Sequence, residues 1–82
     1  MELLHKSYVT ISVAILDDDI IGVIVELERL RLIGAEVNIL SSLSGDPLNA
    51  ICMLSVKLGK DGWTMPISEK LCEDIIKWKA VV

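Results

Sequence analysis

Three consecutive carboxylates (Asp17, Asp18 and Asp19), two thiols (Cys52 and Cys72) and a single imidazole (His5) are the side chains with which this chain could do chemistry. Carboxylate oxygens bind divalent cations, but adjacent residues converge on one ion only through a sharply bent loop. The Asp-x-Asp-x-Asp-Gly spacing that builds such a loop is missing. The triad therefore reads as a solvated acidic turn that caps a helix. A nucleophilic cysteine needs a base beside it, yet neither thiol has a histidine near it in sequence. Standing twenty residues apart in regular, half-buried segments, Cys52 and Cys72 read as small core hydrophobes rather than as a disulfide or a metal site. His5 lies alone before the first element and reads as solvent-exposed. No catalytic residue, metal ligand or cofactor site is assigned.

The acidic turn opens the stretch around which the chain is organised. Asp18 or Asp19 meets the unpaired N–H groups and positive dipole end of a helix. At 100° per residue, Ile20, Val23, Ile24, Leu27, Leu30 and Gly34 fall on one side, as a buried stripe should. Glu26, Glu28 and Arg29 lie away from its centre, but so do Ile21, Val25 and Leu32. A helix with a second apolar face predicts a partner surface at those three residues. Gly34 supplies the left-handed stop.

The remaining elements read as strands and one further helix. Residues 7–16 alternate, with Val9, Ile11, Val13 and Ile15 on one face and Tyr8, Thr10, Ser12 and Ala14 on the other, which predicts a first strand. A second strand is expected from Val37 to about Leu43, a turn at Ser44–Pro47, and a third strand from Asn49 to Leu58 with Ala50, Cys52, Leu54, Val56 and Leu58 inward. After a turn at Gly59–Gly62, Trp63–Pro66 reads as a connection. A helix from about Ser68 to Trp78 carries Leu71, Ile75 and Trp78 inward. Ala80–Val82 remain for a short last strand. The resulting order, β-α-β-β-α with a curtailed final β, predicts an α+β chain of ferredoxin-like, split βαβ plan: one antiparallel sheet with two helices on one face.

Composition narrows the function classes. Eighty-two residues make one domain with a marginal core, yet 52% are hydrophobic, more than so small a surface can hide. Association into a homodimer or higher oligomer would bury the surplus. A net charge of −4, no Phe, one Tyr and no basic block disfavour nucleic acid, which needs a cationic track or stacking platforms. Glu26, Glu28, Arg29 and Arg31 interrupt the longest apolar run, so no membrane span is expected. No secretion-signal cleavage pattern is visible, and the expected location is the cytoplasm.

The turn Asp19-Ile20-Ile21-Gly22, the strand opening Val37-Asn38-Ile39 and the strand Cys52-Met53-Leu54-Ser55-Val56 together resemble the ACT domain family over roughly residues 7 to 79. Ile21 stands where that family often has Pro, and the last strand is curtailed. The ending from Ile76 to Val82 is similar to the small regulatory subunit of acetolactate synthase, whose ACT domain controls a larger enzyme. The resemblance implies a regulatory domain that pairs side by side and binds an amino acid or similar metabolite at the interface. It carries the binding positions over to Asp19, Ile20, Ile21, Gly22 and Asn38. Helix-start amides near Gly22 would receive a carboxylate, and Asn38 offers a donor and an acceptor. The residues alone leave the other reading open: a protein–protein interaction or assembly module that binds no metabolite.

Overall fold

The computed structural model describes residues 2–42 and 51–81. The chain is α+β, in the order α1 (Glu2–Leu16), α2 (Ile20–Leu32), β1 (Glu36–Ser42), β2 (Ile51–Leu58), β3 (Asp61–Ile67) and α3 (Glu69–Val81). The three strands form an antiparallel meander, β1-β2-β3, in which Val37, Val56 and Trp63 lie in one row and Ile39, Leu54 and Met65 in the next. Those rows face all three helices. Val37, Leu54, Val56 and Met65 share one buried cluster with Leu4 and Ile11 of α1, Val23, Leu27 and Leu30 of α2, and Leu71 and Ile75 of α3. The opposite face carries Asn38, Leu40, Thr64 and Pro66, all exposed.

The expected first strand over residues 7–16 is a helix. Its β-branched alternation is overridden by a second pattern in the same letters, because Leu4, Ser7, Ile11 and Ala14 recur at helical spacing and are the buried residues of α1. Hydroxyls that alternation marked as strand-like fit the helix locally. Ser7 donates to the Leu4 carbonyl and Ser12 to the Tyr8 carbonyl, each at 2.8 Å. With that strand gone, the split βαβ order is not what the described residues show. No described strand precedes α2.

Two smaller expectations change with it. Trp63–Pro66 is not a connection but part of β3, paired along its length with β2. Ala80 and Val81, expected to begin a last strand, continue α3. The Ser44–Pro47 turn lies outside the described residues, as do Leu43, Asn49 and Ala50. The strand pairing around it stands as expected, with Glu36 opposite Lys57 and Ser41 opposite Cys52.

The helix ends follow from sequence. Asp19 caps α2, its carboxylate accepting from the Gly22 amide at 2.9 Å, and Ser68 does the same for the Leu71 amide of α3 at 3.1 Å. Helix α2 stops on Gly34 at φ +94°, where the Ala35 amide reaches back to the Leu30 carbonyl and that of Gly34 to Arg31. Helix α1 stops in the same way, with the Asp19 amide on Ala14 and the Asp18 amide on Ile15. There Asp18 holds the left-handed position at φ +54°. The acidic triplet therefore ends one helix and starts the next, folding α1 and α2 into a hairpin.

Candidate interaction face

That hairpin lays both helices on the sheet, and each has a side turned away from it. On α1, Val9, Val13 and Leu16 lie opposite the buried residues at 45%, 51% and 85% exposure. On α2, Ile21, Val25 and Leu32 do so at 76%, 52% and 79%. The helices reverse direction through Asp17–Asp19 and pack on one another, so the two stripes look out side by side. At the ordinary size of aliphatic side chains, six such residues expose on the order of 600 Å² of apolar surface, the upper end of what a monomer's largest patch holds. Single exposed aliphatics are common; two aligned stripes on adjacent helices are not.

The charge on this face is nearly balanced. Glu28 and Arg29 stand between Val25 and Leu32, and Lys6 flanks the α1 stripe; the acidic surplus is concentrated on the Asp17–Asp19 turn at the end of the hairpin, while α3 balances Glu69, Glu73 and Asp74 with Lys70, Lys77 and Lys79. Arg29 lies 3.5 Å from the Glu26 carboxylate, whose side chain is largely covered. Arg31 packs its guanidinium over the Trp78 ring at 5.3 Å and faces Glu28 at 3.8 Å. The Arg31–Trp78 contact holds α2 against α3, and the two ion pairs lie within α2.

Of the residues that the ACT resemblance implies for ligand binding, Asp19, Ile20, Ile21 and Gly22 stand together at the start of α2 and Asn38 stands apart. Asp19 and Gly22 are occupied with each other: a Cβ at Gly22 would lie 2.5 Å from the Asp19 carboxylate. Ile20 is half-buried and Ile21 is exposed on the outward stripe. Asn38 lies at the other end of α2, where roughly 14 Å of helix separates Gly22 from Arg31. Its side chain stands on the open face of the sheet, next to the Lys79 ammonium at 3.4 Å, which also donates to the Val37 carbonyl at 2.7 Å. The cavity beside the acidic turn, lined by Ile15, Asp19, Ile20, Val23 and Lys70, holds about 60 Å³. Metabolite sites usually hold several hundred.

Among the described residues no group of three His, Cys, Asp or Glu is placed to hold a metal ion, and no helix is long and apolar enough to cross a membrane. His5 is exposed on α1. The sequence pointed to half of the outward face, at Ile21, Val25 and Leu32, and missed the α1 half. Strand alternation places Val9 and Val13 on one face with Ile11 and Ile15. The signal that finds them is the helical spacing of Leu4, Ser7, Ile11 and Ala14, which puts Val9, Val13 and Leu16 on the far side. Comparison with known proteins returns no matching family model, no matching curated protein and no matching solved structure.

Proposed function

We propose that this chain is an assembly module without catalysis of its own, which associates with a second copy through the outward face of the α1–α2 hairpin. The observation that carries the reading is the pair of aligned apolar stripes, Val9, Val13 and Leu16 beside Ile21, Val25 and Leu32. Their exposed area approaches the roughly 800 Å² per partner of a standard interface, so a rim of polar neighbours completes it. A second copy fits the charge as well. Glu28 beside Arg29 and Lys6 leaves the middle of the face close to neutral, and a twofold axis across α2 sets Glu28 of one copy near Arg29 of the other.

The amino-acid sensor implied by the ACT resemblance is the weaker reading, because its positions are split between the two ends of α2 and the cavity at the turn is several times too small. Regulation of a larger enzyme is compatible with the same outward face, the enzyme then taking the place of the second copy. Sedimentation equilibrium on the purified chain separates these. A mass rising from 9.0 kDa toward twice that value with concentration supports self-association. A constant monomer mass overturns it.

A further inference from the structure

The two cysteines face each other. Cys52 lies on β2 in the same inward set as Leu54 and Val56, directly opposite Ile67, the last residue of β3. Helix α3 starts two residues beyond Ile67 and returns beneath β2, with Leu71, Cys72 and Ile75 as its buried side. One helical turn therefore brings Cys72 back under the residue that Ile67 pairs with. The two thiols are neighbours across the α3–β2 contact, and both are free. They differ in access: Cys72 is 7% exposed, whereas Cys52, nearer the sheet's end, is partly open to solvent.

We propose that Cys52 and Cys72 form a redox-modifiable dithiol site, which a small-molecule disulfide oxidises to an intrachain bond clamping α3 to β2. The Cys52 thiolate attacks one sulfur of the disulfide R–S–S–R, forming the mixed disulfide Cys52–S–S–R and expelling R–S⁻, which takes up the proton that Cys52 released. Cys72 then loses its proton and attacks the Cys52 sulfur, expelling the second R–S⁻, which takes up that proton. Two protein thiols are oxidised, one small disulfide is reduced to two thiols, and no other co-reactant is needed. Accessibility sets the order. Cys52 is the attacking residue and Cys72 the resolving one, since Cys52 is the partly exposed thiol and Cys72 the buried one.

The test uses the full chain and glutathione disulfide. After incubation and quenching, intact mass should show the loss of two hydrogen atoms with no glutathione retained, and a peptide map without reductant should show Cys52 joined to Cys72. In Cys72→Ser, and equally in Cys72→Ala, Cys52 should instead retain one glutathione. The oxidised wild type should melt about 10 °C higher or more, because the bond closes a twenty-residue loop, and dithiothreitol should reverse the gain. Persistent glutathione on wild-type Cys52, two thiols left free, or cross-linked chains in place of the internal bond would each overturn the proposal.

Discussion

The indole N–H of Trp63 donates to the hydroxyl of Ser7 at 3.2 Å, joining β3 to α1 across 56 residues of chain. Ser7 is 1% exposed, and it also donates to the Leu4 carbonyl, so a buried hydroxyl on an apolar helix face has both a donor and an acceptor role filled. The Tyr8 ring meets Trp63 edge-on at 5.4 Å. These contacts fix α1 on the sheet from the β3 side, while Arg31 over Trp78 ties α2 to α3 and Lys79 on Val37 ties α3 to β1.

Removing the hydroxyl should therefore be felt as lost stability. Ser7→Ala leaves the indole N–H without its partner and should cost about 1–2 kcal/mol in urea unfolding followed by tryptophan fluorescence. Ser12→Ala, whose hydroxyl bonds only within its own helix, should change stability by less than about 0.5 kcal/mol.

Helix and strand assignments of residues 7–16 make opposite statements about Thr10 and Ala14. Strand alternation puts the two on one face, whereas the helix buries Ala14 and exposes Thr10. Ala14→Glu should destabilise by roughly 3 kcal/mol or more, since it forces an unpaired carboxylate into the helix–sheet core. Thr10→Glu should stay within about 0.5 kcal/mol. Equal effects in thermal or urea unfolding would contradict the helix.

At the start of α2 the sign of one substitution should depend on its neighbour. Gly22→Ala gains about 1 kcal/mol of helix propensity, but its methyl group occupies the space of the capping Asp19 carboxylate, whose loss costs about the same. The change should be near neutral in the wild type. In an Asp19→Ala background nothing opposes the propensity, and Gly22→Ala should stabilise by about 1 kcal/mol; the four proteins form a double-mutant cycle.

The reduced protein should lose stability at alkaline pH through Cys72. Burial first, then the adjacent Cys52 thiol and the Glu73 and Glu69 carboxylates, push the Cys72 thiol from its ordinary 9.0 up to about 11. A folded-state value above the unfolded one means that the folded chain keeps a proton the unfolded chain gives up. The resulting stability is complete below pH 9.0 and is lost as pH rises to about 11. Urea unfolding under reductant should decline across that window more steeply for the wild type than for Cys72→Ala. Parallel slopes would contradict the assignment.

How much of this was legible in the sequence divides at Asp17. From Asp19 onward most local signals agree with the fold, Asp19 as a cap, Gly34 as a stop, Leu54 and Val56 inward, and Leu71, Ile75 and Trp78 as an inward stripe; the exceptions are Trp63–Pro66, which is strand, and Ala80–Val81, which is helix. Before it, two periods competed in the same residues. Val9, Ile11 and Val13 satisfy a period of two, while Leu4, Ser7, Ile11 and Ala14 satisfy the helical one only if a serine is accepted as a core residue. What makes Ser7 acceptable is Trp63, far along the chain, and no local reading supplies that partner. The same error hid half of the outward face. The proximity of Cys52 to Cys72 is illegible for a related reason: it depends on β3 and the start of α3, and the local sequence reads Trp63–Pro66 as a connection.

The most direct test of self-association through the hairpin is the solution mass of Ile21→Glu/Leu32→Glu beside the wild type. Both positions are more than three-quarters exposed, so the double variant should keep the wild-type circular dichroism spectrum. The account predicts a wild type that approaches the dimer mass at micromolar concentrations and a variant that remains a monomer throughout. A monomeric wild type, or a folded variant that still dimerises as the wild type does, would contradict it.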